Sequence, residues 1–175
     1  MMTETSVDSL PVPDEVHAWS VLHARPRCEK KLFELCRSRQ WHAYLPLVPR
    51  RHQYGKRLRT HQVPLFPGYL FVLTDQVGRS FLRGNQHVAN LLLVDDQQRL
   101  LDQLNQVKRA LDQKAAVELL PQFTTGMKVM VQSGPMKGVE GFVERIKNNT
   151  RIILNVDFIQ QSIAVEVDTE WLIPC

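Results

Sequence analysis

Residues 63–75, VPLFPGYLFVLTD, constrain the fold more than any other part of the sequence. Eight of these thirteen residues are aliphatic or aromatic, and their types favour a buried, pleated strand over a helix. Because Pro64 and Pro67 cannot donate ladder hydrogen bonds, we expect this strand to lie at a sheet edge or to pair fully only from Gly68 onward. Aromatic surface near Phe66 and Tyr69 should then be exposed. An ordinary core strand that begins at a proline is the alternative that composition alone favours.

Length and composition place the chain among soluble proteins of one or two small domains. The sequence has 175 residues, which fits one domain of about 110 residues and one of about 50. No apolar run reaches the roughly 18 residues that span a bilayer, and the acidic start lacks a signal-peptide pattern. We therefore expect a cytoplasmic protein with no membrane segment.

The cysteines and histidines do not form a recognisable reactive site. Cys28, Cys36 and Cys175 are odd in number and lack CxxC spacing, which favours reduced thiols over a disulfide framework or a zinc site. The six histidines show neither metal-ligand spacing nor pairing with a nucleophile. The prediction is a protein that is not an enzyme and needs no cofactor or metal.

Positive charge is concentrated in one part of the chain. Residues 23–61 contain eleven lysines and arginines and two glutamates, a local net charge of +9, whereas the whole chain carries +4. A concentration of cations of this kind attracts phosphates and makes binding salt-sensitive. A solvated basic face without a partner is the alternative.

The first 117 residues alternate between strand and helix patterns. Cys28, Leu32, Leu35 and Cys36 follow Pro26 at helical spacing and define one apolar stripe. The basic stretch 50–61 predicts a long hairpin with its tip near Tyr54–Lys56, which is either a solvated loop or a probe for nucleic acid or protein. The other expected elements are strands at 18–24, 43–48, 63–75 and 88–94 and helices at 77–82 and 97–117. This order predicts an α+β fold with a mostly antiparallel sheet.

The C-terminal part of the sequence has a different residue pattern from the first 117 residues. Residues 119–125, LLPQFTT, indicate a linker, because Pro121 ends the helical pattern. Four short β-rich runs follow, at 128–132, 139–146, 151–158 and 162–168, and predict a small β-barrel. Three glycines at 134, 138 and 141 lack the context of a phosphate loop and are interpreted as turn or bulge positions. The predicted organisation is a mobile tail at 1–16, a first domain at 17–117, a linker at 118–125 and a second domain at 126–175.

Two motifs in this order resemble the NusG family of transcription elongation factors. FPGYLFV in the first domain is similar to the family's N-terminal NGN domain, and GMKVMVQSGPMKGVEGFVERI is similar to its KOW domain, an SH3-like β-barrel. The resemblance covers residues 17–174. The stretch ARPRCEKKLFELCRSRQWHAYLPLVPRR and the basic hairpin after it resemble the specialised RfaH-type paralogues more than the general factor. Residues 91–97 also depart from the general factor's glycine and proline pattern.

The resemblance implies a contact with RNA polymerase. An apolar face of the NGN domain docks on the clamp helices of the polymerase, and Phe66, Pro67, Tyr69 and Phe71 occupy the matching positions. Strand alternation places Tyr69 and Phe71 on one face and residues 70 and 72 on the other, where they should be core.

The resemblance also implies nucleic-acid and protein partners. Paralogues contact the exposed non-template DNA strand, and the comparable positions are Arg25, Lys31, Arg39, Asn85 and Gln86. The KOW domain recruits a partner such as termination factor Rho or a small-subunit ribosomal protein, and its signature contains the partner-binding residues Lys137, Gly138 and Phe142. In RfaH-type proteins this domain can instead fold as a helical hairpin; here the valine-rich alternation favours the barrel.

The sequence thus predicts a non-catalytic transcription elongation or antitermination factor that acts as a monomer. It would bind RNA polymerase through its NGN domain, suppress pausing or termination and recruit a partner through its KOW domain. The alternative is a KOW-type RNA-binding or ribosome-associated protein, with its RNA affinity in residues 125–175.

Overall fold

A computed structural model describes residues 9–121, 126–146 and 149–175. The chain divides into two compact units. One is Pro13–Gln97, and the other combines the described residues up to Val12 with Gln98–Cys175. The predicted tail at 1–16 falls partly outside the described residues, and the predicted domain boundary stays a prediction.

The first unit contains a four-stranded antiparallel sheet and a separate two-stranded hairpin. The sheet order is β2-β5-β1-β6, and β3 pairs only with β4. The elements in chain order are β1 (Ala18–Ala24), α1 (Glu29–Ser38), β2 (His42–Tyr44), β3 (Leu47–Tyr54), β4 (Arg57–Pro64), β5 (Tyr69–Thr74), α2 (Gln76–Arg83) and β6 (Val88–Leu93).

Strand β5 is interior, so the predicted edge position is wrong. It pairs with β2 on one side and β1 on the other. The second expectation, full pairing only after Gly68, is confirmed, because β5 begins at Tyr69 and Gly68 takes a φ of 85° that favours glycine. Pro64 is the last residue of β4, and Pro67 lies in the turn between β4 and β5. Neither proline therefore removes a backbone N–H donor from the four-stranded sheet.

Both faces of β5 are buried. Leu70 and Val72 pack into a core cluster with Leu32 and Cys36 of α1 and Leu82 of α2, as predicted. On the opposite face, the side chain of Phe71 is 0% exposed. The strand therefore carries core residues on its two sides.

The two helices of this unit begin in different ways, and only α2 has a side-chain cap. Helix α1 begins at Glu29, three residues after Pro26, because Arg27 takes a left-handed φ of 65° that interrupts helical geometry. In α2, the Asp75 side chain accepts a hydrogen bond of 2.7 Å from the N–H of Gly78 and caps the helix.

Helix α3 (Gln97–Asp112) ends earlier than predicted. Lys114 takes a left-handed φ of 54°, and the N–H of Ala115 bonds to the carbonyl of Ala110 at 3.1 Å. The N–H of Lys114 bonds to the carbonyl of Leu111 at 2.9 Å, which completes a Schellman cap. The helix therefore stops at Asp112, five residues before the expected end.

The second unit contains a six-stranded antiparallel sheet of order β12-β8-β9-β10-β11-β7. The predicted linker is wrong at its start, because residues 118–121 belong to β7 and pair with β11. Residues 122–125 of that linker lie outside the described residues. The strands are β7 (Val117–Pro121), β8 (Lys128–Val131), β9 (Glu140–Ile146), β10 (Asn149–Val156), β11 (Gln161–Glu166) and β12 (Leu172–Pro174), with single 3₁₀ turns at Asp157–Ile159 and Thr169–Trp171.

The predicted fold class, an antiparallel sheet with helices followed by a small β domain, is confirmed. The four predicted C-terminal β runs correspond to β8–β11. Gly134 and Gly138 are turn glycines with φ of 78° and 85°. Within this unit, the side-chain amide of Gln103 on α3 donates a hydrogen bond to Asp157 Oδ2 at 2.6 Å.

Candidate functional site

One end of the four-stranded sheet assembles several of the candidate residues. The N–H of Ala24, at the end of β1, bonds to the carbonyl of Gly68 at 2.8 Å, and the N–H of Arg25 bonds to the carbonyl of His87 at 2.8 Å. The Glu29 carboxylate, in the first turn of α1, accepts a hydrogen bond of 2.8 Å from the N–H of Gly68. These bonds fix the turns before α1, β5 and β6 against one another. We call the surface formed by these turns the sheet-end surface.

Two of the four predicted polymerase-contact residues are accessible on the sheet-end surface. Pro67 is exposed and Tyr69 is half-buried. The Tyr69 ring stacks on the ring of His23, its direct cross-strand neighbour, with centroids 5.2 Å apart and planes 18° apart. Paired rings of this kind form a flat aromatic surface with polar edges.

The other two predicted contact residues, Phe66 and Phe71, are buried. Both side chains are 0% exposed, and their rings meet edge to face with centroids 6.4 Å apart. The expectation of exposed aromatic surface at Phe66 is wrong, because β5 is an interior strand and the residue before its turn packs inward against Phe71. The accessible apolar surface is therefore smaller than the sequence predicts.

Three predicted nucleic-acid residues lie at the same end of the sheet. Arg25 and Gln86 are exposed and Asn85 is half-buried. The Asn85 side-chain oxygen accepts a hydrogen bond of 2.9 Å from the N–H of His87, and its carbonyl accepts one of 3.0 Å from Val88. This Asx turn holds the loop before β6 in one conformation.

Arg39 is separated from this group. It follows the last residue of α1, whose ten residues span about 15 Å from the sheet-end surface. Its guanidinium lies over the Phe81 ring at 3.7 Å from the centroid, and the Trp41 centroid is 5.6 Å away. Arg39 thus takes part in a cation–π cluster on α2. Lys31 is exposed on α1, between the two regions.

Sequence reasoning missed His23 and His87. His23 could have been found, because strand alternation places it on the face of β1 opposite Leu22, where it meets Tyr69. His87 Nδ1 lies 3.5 Å from Cys28 Sγ, a contact between residues 59 apart in sequence that no local pattern indicates.

The described residues contain no cluster of three side chains that could ligate a metal. Cys36, on α1, is fully buried, and burial raises the pKa of its thiol to about 11. A thiol in that environment is protonated and unreactive at neutral pH.

The three predicted KOW residues occupy two places in the second unit. Lys137 and Gly138 are exposed in the turn between β8 and β9, and the Lys137 carbonyl accepts a hydrogen bond of 3.0 Å from Arg109 Nη1 of α3. Phe142 is half-buried on β9 opposite Lys128. A hydrogen bond from α3 therefore occupies the carbonyl of the predicted partner-binding turn.

The hairpin β3–β4 is exposed along most of its length. All side chains from residue 49 to residue 62 are exposed, and none of them is acidic. The Lys30 ammonium of α1 donates to the Gln62 carbonyl at 2.5 Å near the base of the hairpin. Its tip, between Tyr54 and Arg57, is where the sequence places it.

One comparison with known proteins identifies a family, and another shows a shared fold. The family model described as "Transcription termination factor nusG" matches residues 17–122. No curated protein matches the chain. A solved structure described as "Domain interaction in Thermotoga maritima NusG" matches with a TM-score of 0.52 and 17% identity, over 89% of this chain and 96% of that one. At this identity the structural match shows a shared fold. No helix in the described ranges is long and apolar enough to cross a membrane.

Proposed function

The chain belongs to the NusG family of transcription factors, and from that premise we propose that it binds RNA polymerase through the sheet-end surface. It acts there as a non-catalytic elongation or antitermination factor that suppresses pausing or termination. The observation that carries the proposal is the juxtaposition of Pro67 and the stacked Tyr69–His23 pair with Arg25.

The accessible residues have the chemistry of an interface anchor. Tyrosine is enriched at binding hot spots because it offers apolar area and a polar edge at low entropic cost. Tyr69 is held by its stack on His23, so little ordering is needed on binding. Phe66 and Phe71 support this surface from within the unit, and in the proposed complex they fix the position of β5.

Binding to the polymerase clamp gives a physical route to processivity. A factor that binds only the closed clamp shifts the population away from the open, paused conformation. The size of the shift equals the difference in binding free energy between the two conformations, so catalytic chemistry is not needed.

Arg25, Asn85 and Gln86 lie beside the proposed polymerase contact, which supports a role in holding the non-template DNA strand. The exposed Arg25 side chain would contribute phosphate contacts that give affinity without sequence preference. Lys31 would extend the same contact along α1. Arg39 would act through its exposed edge, beside the Phe81 ring.

The turn at Lys137 and Gly138, with Phe142, is proposed as the partner-binding part of the second unit. Its partner would be Rho or a small-subunit ribosomal protein. The protein would act as a monomer in the cytoplasm. An operon-specific, RfaH-type role also stays a prediction, since the comparisons identify the family and not the subtype.

Co-purification of the tagged full-length chain from its own cells tests the proposal. RNA polymerase subunits should be recovered at stoichiometric levels, and recovery should resist nuclease treatment, because the main contact is protein to protein. Ribosomal particles recovered without polymerase would contradict the proposal and favour the RNA-binding alternative.

A further inference from the structure

The β3–β4 hairpin has two chemically different faces. In an antiparallel pair, residues directly opposite one another point to the same side, and successive residues alternate. The register pairs Arg50 with His61, His52 with Arg59 and Tyr54 with Arg57. We call these six side chains the hairpin basic face. The opposite face carries Pro49, Arg51, Gln53, Leu58, Thr60 and Gln62.

The ring contacts agree with this assignment. The rings of His52 and Tyr54 stack with centroids 4.5 Å apart and planes 16° apart. The His61 ring meets Tyr54 edge to face at 6.3 Å. The hairpin basic face thus carries a row of three rings with three arginines beside it, whereas the opposite face carries one arginine.

We propose that the hairpin basic face binds double-stranded DNA by entering the major groove. The major groove of B-DNA is about 12 Å wide and admits a two-stranded β-ribbon, whereas the major groove of double-stranded RNA is too deep and narrow. Arg50 lies on one strand of the ribbon and Arg57 and Arg59 lie on the other, so the cations can reach phosphates on both walls of the groove.

The shape of the hairpin disfavours a single-stranded ligand. Single strands are bound in grooves that follow the backbone and offer separate ring faces for successive bases. This hairpin is a protruding ribbon whose side chains are exposed on both faces, and the His52 and Tyr54 rings already cover each other. With no acidic residue from 47 to 64, every charge on the ribbon attracts phosphate.

A matched pair of charge substitutions tests the proposal. Arg59→Gln removes one charge from the hairpin basic face, and Arg51→Gln removes one from the opposite face of the same strand pair. Binding of the full-length chain to a fluorescent 24-base-pair DNA duplex is measured by anisotropy at several salt concentrations. Arg59→Gln should weaken binding by about fivefold and lower the salt slope by about one, whereas Arg51→Gln should change it less than twofold.

A second matched pair tests the rings without changing charge. Tyr54 is 56% exposed and Leu58 is 62% exposed, so their substitution disturbs little packing. Tyr54→Ala should weaken duplex binding by at least about threefold, because it removes a ring that can contact base edges and thymine methyl groups in the major groove, and Leu58→Ala should leave it unchanged. Circular dichroism confirms that each variant is folded.

Three results would overturn the proposal: no duplex binding by the unsubstituted chain at 50 mM salt, equal losses from both faces, or tighter binding to a single strand or to double-stranded RNA of the same length. The assay contains no polymerase. A negative result in this assay therefore does not contradict the proposed polymerase contact. A chain that fails to bind polymerase likewise does not contradict duplex binding by the hairpin.

Discussion

Two β structures in the first unit lie in opposite environments. Strand β5 is buried on both faces between β1 and β2, whereas the β3–β4 ribbon is exposed on both faces over residues 49–62. Burial of apolar area stabilises the first structure. A lone two-stranded hairpin is at best marginally stable in water, and we propose that the second structure serves binding. Substitutions in β5 should therefore change stability, and substitutions in the ribbon should change binding.

Truncation of one apolar side chain in each structure tests this contrast most strongly. Phe71→Ala in β5 should lower the free energy of unfolding by about 3–5 kcal/mol, because it leaves a cavity in a fully buried site. Leu58→Ala in the ribbon should change it by less than about 0.5 kcal/mol. Urea denaturation followed by circular dichroism measures both. Equal changes would show that the ribbon contributes to the core.

Gly78, in the first turn of α2 just after β5, provides a second test of the packing around this strand. A Cβ at position 78 would overlap with Thr74 Oγ1, so Gly78→Ala should destabilise the protein by about 2 kcal/mol. Helix propensity alone predicts the opposite sign, a gain of about 1 kcal/mol. Gly84→Ala, at the other end of α2, is the control, because its nearest atom would be 3.7 Å away. A stabilised Gly78→Ala variant would contradict the packing described here.

The buried thiol of Cys36 makes the core sensitive to alkaline pH. Its pKa is raised to about 11 by burial, above the usual value near 9. Stabilisation by the protonated thiol is therefore complete below pH 9 and is lost as pH rises toward 11. The stability difference between the unsubstituted protein and Cys36→Ala should shrink by about 1 kcal/mol between pH 8 and pH 10. Urea titrations across that range measure it, and a constant difference would contradict burial of the thiol.

Local sequence patterns predicted most of the helices and strands. The predictions that failed concern strands whose pairing partners the local pattern does not reveal. The alternation in β5, the stripe of α1 and the hairpin tip are properties of a few neighbouring residues, and all three are confirmed. The edge position of β5 was wrong because its second neighbour is the three-residue strand His42–Tyr44, which the sequence pattern at 43–48 does not separate from the hairpin strand that begins at Leu47. Residues 118–121 were read as linker because their partner strand begins about 40 residues later.

The candidate site shows the same difference between what local patterns predict and what long-range contacts determine. The family resemblance proposes Tyr69, Arg25 and Asn85 as site residues, and backbone hydrogen bonds between distant segments bring their surroundings together. Burial of Phe66 could not be predicted, because it depends on packing and not on residue type. Strand alternation predicts the face of β1 on which His23 lies, whereas its pairing with Tyr69 requires the strand register.

The most direct test of the account is the affinity of the full-length chain for its cognate core RNA polymerase without DNA. Tyr69→Ala, at the sheet-end surface, should weaken binding by at least about tenfold, because a half-buried tyrosine is proposed as the anchor. Tyr54→Ala, on the ribbon, is the matched aromatic control and should bind as the unsubstituted chain does. Unchanged affinity of a folded Tyr69→Ala variant would contradict the account.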